Sequence, residues 1–172
     1  MTDVRPCIQI RSYAKLNLAL TVDRPRQSDR LHPICSYMCP IDLCDDLEIT
    51  RLVEDRDDDP AHAFSRYAIH FHDDAGFTQE VDWPIEHDLA VQAHLALEDR
   101  VQQRLPIHLH LAKRIPAGAG LGGGSADAAA TLLAINTLFD LVLEMDDLAP
   151  IAARLGSDVP FFLERSAAVV EG

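Results

Sequence analysis

Positive charge is scarce in this 172-residue sequence. It contains 15 lysine and arginine residues against 28 aspartate and glutamate residues, which gives a formal net charge of −13. A surface this acidic repels nucleic acid and anionic membranes, so neither is expected as a partner. An anionic ligand would therefore need a local positive site, built from backbone N–H groups, a few basic side chains and a metal ion.

The sequence also lacks targeting segments and a dense cysteine framework. Residues 1–10 contain no basic stretch followed by an apolar one, and the longest apolar run, residues 128–135, is too short to span a bilayer. Its four cysteines all lie in the first 44 residues, unlike the disulfide framework of a small secreted domain. We therefore expect a single-domain cytoplasmic protein with reduced thiols.

Hydrophobic periodicity predicts strands and helices in mixed order. Strands are expected at residues 7–22 (one or two), 34–41, 46–52, 67–72 and 107–111, and the composition of residues 161–170 is also strand-like. Helices are expected at residues 88–101, 125–141 and 148–155, with Asp88 and Ser125 as N-caps, Asp127 in a first turn and Gly156 closing the last helix. Because the elements do not alternate as regular βαβ units, the sequence favours the α+β class.

Two groups of candidate metal ligands have simpler explanations. His32, Cys35, Cys39 and Cys44 are close in sequence, but Cys35 and Cys39 on one strand would lie about 13 Å apart, too far for one zinc ion. The acidic run at residues 54–60 is better explained as a solvated loop. His70, His72, His108 and His110 are expected to line a polar sheet face, so no metal site is predicted in the protein itself.

The most informative segment is PAGAGLGGGSADAAA, residues 116–130. Five of the eight residues from Gly118 to Ser125 are glycine. Glycine lets the backbone approach a ligand and turn its N–H groups inward, and the following helix adds unpaired N–H groups and a partial positive charge. The alternative, a flexible surface turn, is disfavoured because the loop runs directly into an alanine-rich helix. The segment predicts a phosphate-binding loop.

Two common phosphate-binding loops do not fit this segment. Gly118, Gly120 and Gly123 match G-x-G-x-x-G, but residues 113–116 separate them from the preceding strand, unlike in dinucleotide-binding folds. A P-loop requires lysine before the final serine, and Gly124 precedes Ser125 here. The loop must belong to another family.

Three motifs resemble those of GHMP-superfamily kinases, which act on galactose, homoserine, mevalonate and phosphomevalonate. Residues 116–125 resemble the P-x-x-x-G-L-G-S/G-S/G-S motif of that superfamily. AKLNL at residues 14–18 and GSDVPFF at residues 156–162 are similar to segments of one branch, the 4-diphosphocytidyl-2-C-methyl-D-erythritol kinases. The motifs stand in the right order and together cover the chain nearly end to end.

This resemblance implies an ATP-dependent transfer of the γ-phosphoryl group, with Mg²⁺, to a hydroxyl of a small cytidine-bearing isoprenoid precursor. It implies that residues 1–172 form a ribosomal-protein-S5-like N-terminal ATP-binding domain. The ferredoxin-like C-terminal half of the family is missing, so a truncated chain is expected. Loss of that half would expose an apolar face, which predicts self-association.

The resemblance also assigns roles to individual residues. It implies that Asp158 is the catalytic acceptor of the hydroxyl proton, that Lys15 keeps Asp158 ionised, and that Asn17 and His32 bind substrate. The implied nucleotide-binding residues are Pro116, Gly118, Gly120, Leu121, Gly122, Gly123, Gly124 and Ser125, with Lys113 as a further candidate. Outside the motif context, Asp158 would be an ordinary turn residue, and Lys15 and Lys113 would be surface charges.

One segment departs from the family pattern. Where the family has D-G-Y-H, with an aromatic ring and a histidine holding the cytosine, this sequence has Asp29-Arg-Leu-His32. Leu31 offers an apolar contact but no ring stacking. Two alternatives therefore stay open: a kinase of the same superfamily with another small alcohol as substrate, and a nucleotide-binding protein without catalysis.

Overall fold

Five strands form one mixed sheet in the computed structural model, which describes residues 5–22, 34–52, 64–77, 79–164 and 166–171. The strands are β1 (Cys7–Val22), β2 (Ile34–Arg51), β3 (Arg66–Phe71), β4 (Ile107–Lys113) and β5 (Ala168–Glu171). The order is β1-β2-β4-β3, and β5 also pairs with β2. Only β3 and β4 are parallel among these pairs; the others are antiparallel.

Four α-helices accompany this sheet in the described part of the chain: α1 (Leu89–Val101), α2 (Gly123–Leu138), α3 (Met145–Leu155) and α4 (Val159–Glu164). A short 3-10 helix, Ile85–His87, precedes α1. The predicted α+β class is confirmed. The predictions for His32 and for the loop at residues 54–60 lie outside the described residues. No helix within the described ranges is long and apolar enough to cross a bilayer.

The sheet buries one face and exposes the other. In β4, Ile107, Leu109 and Leu111 are fully buried, whereas His108 and His110 are exposed. Helix α2 packs on β1 and β2, and the other helices pack around α2. Each fully buried leucine or isoleucine contributes about 1.5–3 kcal/mol to folding. The prediction that the strand histidines line a polar sheet face is confirmed for His108 and His110, and for His70 on the neighbouring β3.

Several predicted element boundaries are wrong. Residues 34–41 and 46–52 were expected to form two strands, but β2 continues through the polar residues between them. Helix α2 begins at Gly123, so Ser125 is inside the helix and its N-cap is Gly122. Residues 161–164 are helical, not extended, and three successive residues of this segment are buried. A short apolar run is compatible with a helix packed on two sides as well as with a strand, so the sequence pattern could not separate the two.

Other boundary predictions are confirmed. The Asp88 side chain accepts a hydrogen bond from the Ala90 N–H (2.9 Å), which makes Asp88 the N-cap of α1. Gly156 ends α3, although that helix begins earlier than expected, at Met145, where Glu144 and Asp147 form a capping box. Local side-chain caps therefore set the N-terminal ends of α1 and α3.

A buried ion cluster joins the sheet to α2. Lys113, at the end of β4, donates hydrogen bonds to Asp45 Oδ2 (2.9 Å) and to Asp127 Oδ2. Asp45 Oδ1 accepts the backbone N–H groups of Arg114 and Ile115. The prediction that Asp127 lies in the first turn of α2 is wrong, because it is the fifth helical residue and faces the interior. The cluster fixes the chain where the glycine-rich loop begins.

The cluster contains two carboxylates and one ammonium group. Burial raises the pKa of Asp127, with a further contribution from Asp45, while Lys113 opposes the rise. Burial lowers the pKa of Lys113, but the two carboxylates outweigh it and the pKa lies above its usual value. The raised pKa of Asp127 means that this carboxyl gains a proton more easily than a free aspartate does, while Lys113 stays charged.

This arrangement predicts unequal effects of two matched substitutions. Asp45→Asn should lower the free energy of unfolding by about 3–5 kcal/mol, because it breaks a buried ion pair. Asp127→Asn should cost less, because Asp127 accepts hydrogen bonds from Lys113 and Ser12, whereas Asp45 holds Lys113 and also the two backbone N–H groups that follow it. Urea unfolding followed by circular dichroism at neutral pH compares the two, and a larger loss for Asp127→Asn would contradict the assignment.

The difference in stability between the wild-type protein and Asp127→Asn should also depend on pH. The pKa of Asp127 is raised in the folded state, so its contribution to stability is full below the unfolded carboxyl value of about 3.9 and is lost as pH rises through the folded value. The wild-type protein should therefore lose stability relative to Asp127→Asn between about pH 4 and neutrality. Urea titrations across this range measure the difference, and a constant difference would show that Asp127 does not titrate.

Candidate active site

The glycine-rich loop, residues 114–122, forms one wall of a cavity of about 430 Å³ between β4 and α2. Every residue assigned above to nucleotide binding lines this cavity, as do the two residues assigned to catalysis. The full lining is Lys15, Trp83, His87, Asp88, Leu89, Lys113, Ile115, Pro116, Ala117, Gly118, Ala119, Gly120, Leu121, Gly122, Gly123, Gly124, Ser125 and Asp158. The fold thus brings together residues from both ends of the chain.

Gly122 is the loop glycine at which both the backbone conformation and the surrounding side chains disfavour a Cβ atom. Its φ of 73° lies in the left-handed region that side chains disfavour. A Cβ atom there would lie 2.7 Å from Phe162 Cζ and 3.2 Å from Lys15 Cγ. The absence of a side chain therefore lets the loop pack directly against the Lys15 stem and the Phe162 ring.

The N-terminus of α2 supplies positive potential to the cavity. The Ala126 N–H donates to Gly122 O (2.8 Å), so the N–H groups of Gly123, Gly124 and Ser125 precede the first hydrogen bond of the helix. The helix dipole adds a partial positive charge at the same end. The cavity therefore has a local region of positive potential in a protein whose overall charge is strongly negative.

Lys15 and Asp158 meet at the edge of this cavity. Lys15 Nζ lies 3.3 Å from Asp158 Oδ2 and donates a hydrogen bond to Asn17 Oδ1. The Lys15 backbone N–H donates to Leu121 O (2.9 Å), which ties β1 to the glycine-rich loop. Lys15 is only 6% exposed, so the alternative of an exposed strand charge is wrong. The Asp158 side chain lies in the turn between α3 and α4 and is 28% exposed.

Lys113 also lines the cavity, but its ammonium group lies between Asp45 and Asp127. It is 3% exposed, so a surface charge is excluded. Its positive charge is therefore neutralised inside the domain by these two carboxylates. A nucleotide contact by Lys113 stays a prediction that these contacts do not support.

The opposite wall includes a residue that the sequence analysis missed. Trp83, the single tryptophan of the chain, donates from Nε1 to Asp88 Oδ2 (3.0 Å). The other oxygen of Asp88 caps α1, so one carboxylate holds both the helix and the indole ring. Trp83 stands in a segment without hydrophobic periodicity, and no local pattern distinguished it.

A second cavity, of about 510 Å³, lies on the exposed face of the sheet. Polar groups of its lining already pair with each other: the Gln9 amide donates to Glu48 (2.7 Å), and Arg11 lies 3.7 Å from Asp46. It has no glycine-rich wall and no helix N-terminus. The cavity beside the glycine-rich loop is therefore the stronger candidate for an anionic ligand.

The chain resembles known proteins along most of its length. Residues 88–165 match the family described as the GHMP kinases N terminal domain. The chain is 39% identical over 163 residues to 4-diphosphocytidyl-2-C-methyl-D-erythritol kinase of Bacillus cytotoxicus, covering 95% of this chain and 50% of that protein. It is 37% identical over 167 residues to the protein of that name from Polynucleobacter necessarius, with 96% and 50% coverage. The chain thus spans about half the length of these curated relatives.

Solved structures agree. A crystal structure of 4-(cytidine 5′-diphospho)-2C-methyl-D-erythritol kinase superposes with a TM-score of 0.72 at 31% identity, over 96% of this chain and 52% of the other. The mevalonate kinase of Methanococcus jannaschii superposes with a TM-score of 0.62 at 13% identity, over 100% and 54%, and this shows a shared fold alone. Residues 88–165 therefore carry the match to the GHMP kinases N terminal domain, and the chain as a whole has the fold of the kinase structures with which it superposes.

Proposed function

We propose that the natural protein containing this chain is a cytoplasmic ATP-dependent kinase that phosphorylates a hydroxyl of 4-diphosphocytidyl-2-C-methyl-D-erythritol in non-mevalonate isoprenoid precursor synthesis. The observation that carries the proposal is the Lys15–Asp158 pair, which lies beside the glycine-rich loop and the α2 N-terminus. The relatives at 37–39% identity bear the name of that kinase.

The cavity suits the phosphates of ATP. The N–H groups of Gly123, Gly124 and Ser125 can donate to phosphate oxygens, and the lack of a side chain at Gly122 keeps Lys15 close to them. Mg²⁺ bound with ATP would neutralise phosphate charge. It needs few protein ligands when phosphates and water supply the others. Among the described residues, no group of three or more histidine, cysteine, aspartate or glutamate side chains could hold a metal alone.

Phosphoryl transfer depends mainly on positioning and electrostatics. Asp158 can accept the proton of the attacking hydroxyl, since its carboxylate is partly exposed to the cavity. Lys15 Nζ, 3.3 Å from Asp158 Oδ2, orients that carboxylate and can stabilise charge on the transferring group. The Lys15–Asp158 pair and the N–H groups of the loop therefore form a sufficient set for this chemistry.

The substrate part of the proposal rests on fewer residues. Asn17, assigned to substrate binding by motif resemblance, lies next to the Lys15 ammonium group. His32 was assigned the same role but is outside the described residues. Leu31 stands where the family has an aromatic residue, and this difference favours the second candidate, a kinase of the same superfamily for another small alcohol.

We also propose that residues 1–172 are the N-terminal domain of a longer protein with a ferredoxin-like C-terminal half. The 50% coverage of the relatives supports this. Apolar side chains are exposed along one end of the sheet, including Leu18, Leu20 and Tyr37. Such a surface suits coverage by a second domain, and it accounts for the self-association expected of this chain alone.

The substrate is tested by ADP release from the full-length gene product with Mg-ATP. We expect turnover with 4-diphosphocytidyl-2-C-methyl-D-erythritol and only background release with homoserine or mevalonate. Faster turnover with one of these alcohols would support the second candidate. Nucleotide binding without turnover on any of them would support a non-catalytic protein.

The catalytic role of Asp158 is tested by Asp158→Asn. We expect kcat to fall by about 10²- to 10⁴-fold, the usual contribution of a general base, while ATP binding is retained. Asp146→Asn makes the same chemical change at an exposed position of α3 and should leave kcat unchanged. Unchanged turnover in Asp158→Asn would show that Asp158 is not the general base.

The nucleotide site is tested by Gly122→Ala with Gly76→Ala as a matched control. Both glycines have a left-handed φ, 73° and 75°, so both variants carry similar backbone strain, of order 1 kcal/mol. Only at Gly122 would the new methyl group meet Phe162 and Lys15. We therefore expect ATP affinity to fall at least tenfold in Gly122→Ala alone, measured by calorimetry. Equal affinities in the two variants would contradict the placement of phosphate at this loop.

A further inference from the structure

A row of hydrogen bonds leads from the interior of the sheet to the Lys15–Asp158 pair. Ser36, on β2, is fully buried and donates from Oγ to the carbonyl oxygen of Ala19 (3.0 Å). The Asn17 amide nitrogen donates to Ser36 Oγ (2.7 Å). The Asn17 amide oxygen accepts a hydrogen bond from Lys15 Nζ. Three consecutive hydrogen bonds thus connect the Ala19 carbonyl group to the Lys15 ammonium group through Ser36 and Asn17.

The direction of this row is fixed at both ends. The Ala19 carbonyl can only accept, so the single Ser36 hydroxyl proton is committed to it. Ser36 Oγ is then an acceptor towards Asn17, which requires the NH₂ side of the Asn17 amide to face Ser36. The oxygen side consequently faces Lys15, whose ammonium group can only donate. A reversed Asn17 amide would place its NH₂ group against the Lys15 ammonium group.

The position of Ser36 explains how its hydroxyl group can fix the orientation of the Asn17 amide. Ser36 pairs with Leu20 across β1 and β2, next to a register shift between Asn17 and Ala19. Ser36 is fully buried, so it holds the Asn17 amide nitrogen on the inner side of the strand pair, although the Asn17 side chain as a whole is exposed. Without the hydroxyl, the amide loses a partner and gains freedom to rotate, and the Lys15 ammonium group loses a fixed acceptor.

We propose that Ser36 is a positioning residue that acts through Asn17 to hold the Lys15 ammonium group against Asp158. The kinetic consequence rests on the proposed kinase function, whereas the hydrogen-bond arrangement does not. The motif resemblance gave no role to Ser36, and a serine within a strand carries no sequence signal of its own. The competing explanation is that Ser36 only satisfies the Ala19 carbonyl and stabilises β1 against β2.

The test compares Ser36→Thr with Ser36→Val in the full-length gene product. Both new side chains are β-branched and nearly equal in shape, but only threonine keeps the hydroxyl group. We expect kcat of Ser36→Val to fall about 10- to 100-fold, in line with the cost of a misplaced catalytic group, while the KM for ATP changes less than about threefold. Ser36→Thr should stay within about threefold of the wild-type kcat. Equal kcat values in the two variants would overturn the proposal.

A double substitution separates positioning from simple stabilisation. In an Asn17→Ala background, the hydroxyl has no amide to orient, so Ser36→Val and Ser36→Thr should have the same kcat. If their kcat values still differ by tenfold, Ser36 acts by another route and the proposal is wrong.

An NMR measurement tests the arrangement without relying on activity. In the ¹⁵N-labelled full-length protein, the Asn17 side-chain NH₂ signals should exchange with water more slowly in the wild type and in Ser36→Thr than in Ser36→Val, because only the first two keep the hydrogen bond to residue 36. Unchanged exchange in Ser36→Val would overturn the inference even if the enzyme is active. Conversely, the expected exchange pattern in a protein with no turnover on any alcohol would uphold the arrangement and reject the proposed function.

Discussion

The buried contact between Lys113 and Asp45 is the interaction on which the rest of the site depends. It joins the end of β4 to β2, and the second oxygen of Asp45 holds the two backbone N–H groups that follow Lys113. Asp127 completes the cluster from α2 and also accepts a hydrogen bond from Ser12 on β1. The glycine-rich loop therefore starts and ends on segments that are fixed to each other, and its N–H groups are held in place before any ligand arrives.

The same constraint explains how an acidic domain can accommodate an anion. Positive potential comes from the N-terminus of α2 and from Lys15, not from a basic surface. Gly122 allows the loop to touch Lys15 and Phe162, and Phe162 lies on α4 only a few residues beyond Asp158. Packing of α4 against the loop thus sets the distance between Asp158 and Lys15, and Asn17 and Ser36 set the orientation of the ammonium group.

Sequence patterns predicted the parts of the fold whose signals are local. The alternation in β3 and β4 and the Asp88 cap of α1 were predicted correctly. The errors arose where a local pattern is ambiguous. Asp45 was overlooked because the polar residues around it suggested a break in β2, although it lies on the inward row with Leu47 and Ile49. Residues 161–164 form a helix because their apolar side chains pack between α2, α3 and the loop.

The sequence by itself determined the glycine-rich loop and the helix that follows it, and it supplied the candidate site residues, because backbone freedom, helix propensity and side-chain type are properties of short segments. Only the tertiary structure decided that Lys15 and Asp158 lie 3.3 Å apart, that Lys113 is an internal counter-ion, and that Ser36 is linked to Lys15 through Asn17. These residues are distant in sequence or lie on different strands. Their contacts depend on strand register and on the packing of α2 and α4 against the sheet, which no local pattern encodes.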